Sequence, residues 1–118
     1  RPGRVYDGRC PMEKPSDMLS RVRETADLKI LFLPHAVRQM ARPDRIITPG
    51  DVRHAIEHGR IIEDYPEDVR GHSCLLLGFP QPDRPIHVCC APKDGFLAII
   101  TAYVPADDQW TDGFTRRK

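Results

Sequence analysis

RIIEDYPEDVRGHSCLLLGFPQPDRPIHVCCAPKDGFLAIITAYV, residues 60–104, contains four apolar runs with the two-residue period of β-strands. The links at residues 81–83 and 93–95 are short and rich in turn-forming residues, so we expect neighbouring strands to be antiparallel. The predicted strands are Arg60–Tyr65, Cys74–Phe79, Pro85–Cys90 and Phe96–Val104.

Helical signals come before these strands. Ser16 predicts the N-cap of a first helix over residues 17–26. Thr48 and Asp51 predict a capping box at the start of another helix, which Gly59 ends.

Two shorter elements are predicted between these helices. The apolar run Leu28–Leu33 predicts a strand that Pro34 stops. Residues 35–41 predict a short helix that ends before Pro43, because a residue that precedes proline avoids the helical region.

Helices followed by strands with short links are typical of an α+β fold rather than of a parallel α/β fold. We therefore expect two or three N-terminal helices packed on a mainly antiparallel sheet of four to five strands. The 118 residues fit one domain over residues 16–118. Residues 1–15 are rich in proline and glycine and predict a flexible N-terminal arm.

Composition narrows the functional classes. The net charge of +1 excludes a globally basic nucleic-acid-binding protein but leaves a local basic face open. No apolar run approaches the ~18–20 residues of a membrane span, and no secretory signal is evident, so we expect a cytoplasmic protein without a membrane. The four cysteines form no C-x-x-C pair and predict free thiols in a reducing compartment.

The sequence favours chemistry without a metal or cofactor. His54 and His58 lie four residues apart on one helix face, but no third ligand is spaced near them. The phosphate-binding glycine loop, the G-x-S-x-G nucleophile elbow and the H-E-x-x-H zinc motif are all absent from the sequence. We therefore predict that no metal is bound.

The last two strands carry a candidate polar surface. If the helices cover one face of the sheet, His87, Thr101 and Tyr103 can gather on the uncovered face, where they would suit stacking on an unstacked base and bonding to phosphate. The alternative is that His87 is an ordinary exposed strand residue and Tyr103 a packing residue. The same alternation assigns Ile100 and Ala102 to the core face.

His35 is a second candidate. It opens the short predicted helix, where free amides favour anions, and an imidazole there can transfer a proton near a phosphate. The alternative is a structural histidine that satisfies a backbone carbonyl.

A string of short motifs from about Met18 to Arg117 resembles the bacterial DUF4258 family, a family without an assigned function. The matching positions are His35, Ala36, Met40, Arg45, Ile47, Thr48, Asp51, Val52, Ala55, Ile56, Gly59, residues 61–66, residues 73–75, residues 84–88, residues 100–103, Pro105, Trp110 and Phe114. The resemblance implies likeness to the compact RelE-like and MqsR-like toxins, which cleave RNA without a metal. It also implies a partner antitoxin, such as a small zinc-finger protein.

The resemblance and the residue patterns together give a candidate site. The candidate catalytic residues are His35, Arg38, Arg45, His87 and Tyr103, and the candidate substrate-binding residues are Gln39, Tyr65, Thr101, Arg116 and Arg117. The chain departs from the family at Gln39, where many members carry Arg, and at Pro43-Asp44, which are two extra residues.

The leading hypothesis is a metal-independent endoribonuclease toxin that acts on RNA, on or off the ribosome. His35 or His87 would accept the proton of the ribose 2′-hydroxyl as it attacks the phosphate, and Arg38 or Arg45 would stabilise the charge that develops. The alternative is a non-catalytic protein-interaction module, or an antitoxin or immunity protein.

Overall fold

A computed structural model describes residues 15–118, with side chains from Asp17 onward. The predicted arm lies outside the described residues except for Pro15, which begins the first helix, and the side chain of the predicted cap Ser16 also lies outside them. The elements are α1 (Pro15–Leu28), β1 (Ile30–Phe32), α2 (Pro34–Met40), α3 (Pro49–His58), β2 (Arg60–Tyr65), β3 (Ser73–Gln81), β4 (Arg84–Lys93), β5 (Phe96–Tyr103), β6 (Trp110–Thr111) and β7 (Arg116–Arg117).

The described chain has the predicted α+β architecture. Its main sheet has five strands in the order β1-β5-β4-β3-β2. The pairs β2–β3, β3–β4 and β4–β5 are antiparallel, and β1 is parallel to β5. The three helices lie between residues 15 and 58 with β1 among them, so they occupy mid-chain positions rather than an N-terminal block.

The helices cover one face of the sheet. In α1, Met18, Val22 and Ala26 are buried at four-residue spacing, which places them on one side of the helix. The capping box predicted for α3 is confirmed: the Thr48 hydroxyl accepts from the Asp51 amide, and the Asp51 carboxylate accepts from the Thr48 amide, each at 3.0 Å.

Glycine at position 78 allows α3 to approach β3 closely. A Cβ atom at Gly78 would lie only 2.5 Å from the Cβ of Ala55. Because real Cβ atoms do not approach so closely, a larger residue would push α3 off the sheet.

A bulge between β4 and β5 corrects one of the face assignments. Cys89 pairs with Thr101, but the next residue, Cys90, pairs with Ile99, so Ile100 is the extra residue. The alternation along β5 therefore changes phase. The predicted core position of Ala102 is confirmed, whereas Ile100 is buried on the opposite face, and the prediction for its face is wrong.

The C-terminal segment covers that opposite face. Strands β6 and β7 form a hairpin, and Trp110 packs there with Leu75, Cys89, Ala91 and Ile100. The prediction of an open platform under His87 is therefore wrong. His87 is fully buried, because the residues after β5 fold back over the sheet.

The three described cysteines, Cys74, Cys89 and Cys90, are free and buried, which confirms the prediction for these thiols. Burial raises the pKa of Cys89 to about 11, so its thiol is protonated at neutral pH and is a poor nucleophile. Cys10 lies outside the described residues. Between residues 15 and 118, no helix is long and apolar enough to cross a membrane.

Candidate functional site

A polar cleft of about 350 Å³ lies between α2, the end of β5 and the segments that follow each of them. Helix α2 places His35 and Gln39 on the side of the helix that faces this cleft, since they are four residues apart. Strand β5 places Thr101 and Tyr103 two residues apart, so both side chains point the same way. The remaining lining residues are Arg42, Arg45, Val104, Ala106, Gln109 and Trp110.

His87 lies behind this cleft and contacts it through Tyr103. Its Nδ1 is 3.2 Å from the hydroxyl of Tyr103, and its Nε2 is 2.8 Å from the carbonyl oxygen of Phe114. The cross-strand register pairs His87 with Tyr103 directly. The ring of Trp110 packs edge-on against His87, with centroids 4.3 Å apart.

These contacts define the protonation of His87. The Phe114 carbonyl can only accept, so Nε2 carries a hydrogen and donates it. Burial lowers the pKa of His87, an effect that the Phe114 carbonyl and Glu63 partly offset, so the ring is neutral at pH 7. Its Nδ1 is then an acceptor, and the Tyr103 hydroxyl donates to it. Burial likewise raises the pKa of Tyr103, which therefore keeps its proton.

Arg42 and Arg45 supply positive charge at the mouth of the cleft. Asp44 lies between them, 3.9 Å from Arg42 Nε and 3.7 Å from Arg45 Nε. Arg45 also donates to the carbonyl oxygen of Val104 at 3.3 Å. Since these ion pairs are long and exposed, they are weak, and both guanidinium groups can turn toward an anion.

Hydrogen bonds to Glu63 hold the C-terminal hairpin that buries His87. Arg117 donates to the two carboxylate oxygens of Glu63 at 3.1 and 3.2 Å, and Tyr65 donates to the same carboxylate. Burial alone would raise the pKa of Glu63, but these bonds outweigh it and lower that pKa. Arg117 also lies over the Trp110 ring, 4.8 Å from its centroid.

We expect Glu63→Gln to loosen the C-terminal hairpin, at a cost under about 1 kcal/mol because Arg117 is largely exposed. Trp110 is the only tryptophan, so its fluorescence should shift to the red. A carboxyl group whose pKa is lowered in the folded state stabilises that state at neutral pH. For Glu63 this stabilisation is lost as the pH falls below the ordinary pKa of 4.5 and through the lower pKa of the folded state. The parent spectrum should therefore approach that of the variant in acid.

Asp112→Asn is the matched control, since it removes the exposed partner of Arg116 in the same hairpin. Equal red shifts in the two variants would contradict a special role for Glu63.

The cleft contains some of the predicted site residues and not others. His35, Arg45, Tyr103, Gln39 and Thr101 line it, and His87 contacts it from behind. The others lie elsewhere: Arg38 is exposed on α2, Tyr65 and Arg117 are bonded to Glu63, and Arg116 is paired with Asp112. Their roles stay predictions.

Five cleft residues were not predicted as site residues: Arg42, Val104, Ala106, Gln109 and Trp110. Arg42 has only a partial signal, because it comes three residues after Gln39 but lies beyond the end of α2 at Met40. Gln109 and Trp110 have no spacing signal, because the residues after β5 follow no helical or strand periodicity.

No cluster of metal ligands is present in the described part of the chain. Between residues 15 and 118, no three His, Cys, Asp or Glu side chains are grouped closely enough to hold an ion. The rings of His54 and His58 do lie in contact, with centroids 4.7 Å apart and planes tilted by 43°. The absence of a bound metal stays a prediction that elemental analysis of the purified protein would test.

Comparison with known proteins identifies one family. No curated protein and no solved structure matches the chain significantly. The family model described as Domain of unknown function (DUF4258) matches residues 32–104, a range that includes α2, α3 and the strands β2 to β5. Because this match covers more than half of the sequence, the chain belongs to the DUF4258 family.

Proposed function

We propose that this chain is a metal-independent endoribonuclease, similar to the RelE-like and MqsR-like toxins, and the toxin half of a toxin–antitoxin pair. One observation supports this above the others: His35, Arg42 and Arg45 share a cleft with Tyr103, whose hydroxyl is bonded to the buried His87. Cleavage of RNA without a metal needs a proton acceptor, a proton donor and fixed positive charge around one phosphate. The cleft has a candidate for each.

The proposed base is the pair Tyr103–His87. Its hydrogen bond already points from the tyrosine hydroxyl to Nδ1, which leaves the oxygen lone pairs of Tyr103 free to accept from a ribose 2′-hydroxyl. As the 2′-oxygen attacks phosphorus, its proton passes to Tyr103 and the proton of Tyr103 passes to His87. The imidazolium that forms is bonded to Phe114 through Nε2 and is favoured by the charge of Glu63.

The proposed acid is His35, which is exposed at the cleft and can approach the 5′-oxygen that leaves. Protonated His35 would give its proton to that oxygen as the P–O bond breaks. Arg42 and Arg45 would hold the non-bridging oxygens, where charge develops in the transition state. The products are a 2′,3′-cyclic phosphate and a 5′-hydroxyl.

The proposed substrate is single-stranded RNA. A volume of about 350 Å³ is at the lower end for ligand sites, and is enough for one splayed nucleotide rather than for a duplex. Gln39 and Thr101 would bond to its sugar or base. The proposal includes a cytoplasmic location and an antitoxin, of which a small zinc-finger protein is one form.

We expect the purified chain to cleave RNA in excess EDTA and to leave 2′,3′-cyclic phosphate and 5′-hydroxyl ends. A matched RNA with a 2′-deoxy sugar at the cleaved position should be resistant, because it lacks the nucleophile. Induction in a bacterial host should arrest growth and degrade RNA. If the chain neither cleaves RNA nor arrests growth, the proposal fails, and the interaction module becomes the better hypothesis.

A further inference from the structure

The outer edge of β1 offers main-chain groups that no described strand pairs with. β1 is the end strand of the sheet, and only β5 is beside it. The amide of Leu33 donates to Ile99, and the carbonyl of Lys29 accepts from Leu97. In a parallel ladder alternate residues face the same neighbour, so Leu31 also faces β5, while Ile30 and Phe32 direct their N–H and C=O groups outward.

An apolar groove of about 380 Å³ lies next to this edge, on the side of the sheet that the helices cover. Phe32 at the edge contributes to it, together with Val37, Met40, Ile46 and Ile47. Val37 is 52% exposed and Ile46 is 56% exposed. Single exposed apolar residues are ordinary, but a continuous apolar groove beside a free strand edge is typical of a recognition surface.

A lysine lies at the end of this edge. Lys29 directly precedes β1 and is exposed. Within residues 17–118 its side chain has no ion-pair partner. A lysine at a strand edge opposes pairing with a second copy of the same edge, because the two lysines would repel each other. An acidic strand would be attracted instead.

We propose that β1 and this groove bind an extended segment of a partner protein in which apolar residues alternate with acidic ones. The segment adds as a sixth strand beside β1. Its main chain pairs with Ile30 and Phe32, its apolar side chains enter the groove, and its acidic side chains point to the opposite face of the sheet, the face of Lys29. The surface lies on the other side of α2 from the cleft, so this inference stands independently of RNA cleavage.

The test uses the full chain and a fluorescein-labelled peptide of about ten residues in which valine alternates with glutamate. We expect saturable binding that weakens as salt is raised. N-methylation of the alternate amides that face β1 should weaken binding at least tenfold, whereas N-methylation of the opposite set, a matched control, should not. Equal effects of the two N-methylated peptides would overturn strand addition.

Two variants and a control test the chain itself. Ile46→Glu should weaken binding at least tenfold, because it places a charge in the groove, and Lys29→Glu should weaken it severalfold. Val69→Glu should bind as the parent does, since Val69 is fully exposed elsewhere. No binding of the acidic peptide, or parental binding by Ile46→Glu, would overturn the proposal. So would a dimer of the parent that Ile46→Glu dissociates, or competition by a peptide matching residues 1–14.

Discussion

Tyr103→Phe should lower the rate of RNA cleavage by about 100-fold or more, because it removes the hydroxyl through which the buried base reaches the substrate. The ring would remain, so its edge-on packing against His87, with centroids 5.3 Å apart, is preserved. We therefore expect a folded protein with unchanged RNA affinity and a slower chemical step. Its stability should fall by about 1–3 kcal/mol, because the buried Nδ1 of His87 loses its donor. Single-turnover cleavage in EDTA, followed on a labelled RNA, measures it.

A double-mutant cycle separates a relay from two independent contributions. His87→Gln is the suitable partner variant. Its amide nitrogen can still donate to Phe114 and hold the C-terminal hairpin, and its amide oxygen can still accept from Tyr103, whereas the basic nitrogen that takes up the proton is lost. If Tyr103 and His87 act as one base, the double variant should be about as slow as either single variant. Multiplying losses would contradict the relay, and a Tyr103→Phe protein with parental activity would contradict the role of Tyr103.

The strands were predictable because each has a local signal. Period-two apolar runs and turn-rich links predicted four strands, and their antiparallel pairing is observed. The capping pair Thr48 and Asp51 likewise predicted where α3 begins. Such features depend on neighbours in sequence, so they are visible without a structure.

The candidate site was only partly predictable, because it depends on contacts between distant segments. His35 and Tyr103 were predicted to lie together, and they do line one cleft. The burial of His87 was missed, since it requires the chain after β5 to turn back. The hairpin that follows also has left-handed φ angles at Asp112, Gly113 and Phe114, of which only the glycine is a recognisable signal.

The bulge at Ile100 could not be predicted from the sequence either, because Ile99 and Ile100 are both apolar and either of them could face the core. One extra residue shifts the phase of the strand, so the predicted core phase holds at Ala102 but fails at Ile100, and only the partner strand reveals it. The error did not alter the prediction that Ile100 is buried, since both faces of the sheet are covered.

Ile100→Asp should leave the domain unfolded at room temperature. Ile100 is 6% exposed among Leu75, Cys89, Ala91 and Trp110, none of which can pair with a carboxylate through a charge. An unpaired buried charge costs several kcal/mol even when it is neutralised, a large share of the roughly 5–15 kcal/mol that stabilises a domain. Circular dichroism should show lost structure, whereas Val69→Asp, at a fully exposed position, should unfold as the parent does.

A milder pair of variants decides which face Ile100 occupies. Ile100→Ala should shift the emission of Trp110, because the two residues share one cluster, whereas Ile99→Ala should not, because Ile99 packs under the helices. Both should cost about 2–5 kcal/mol, so stability alone does not distinguish them. If Ile99→Ala perturbs Trp110 and Ile100→Ala does not, the bulge is misplaced. Ile99 rather than Ile100 would then pack with Trp110 on the face of the sheet that buries His87.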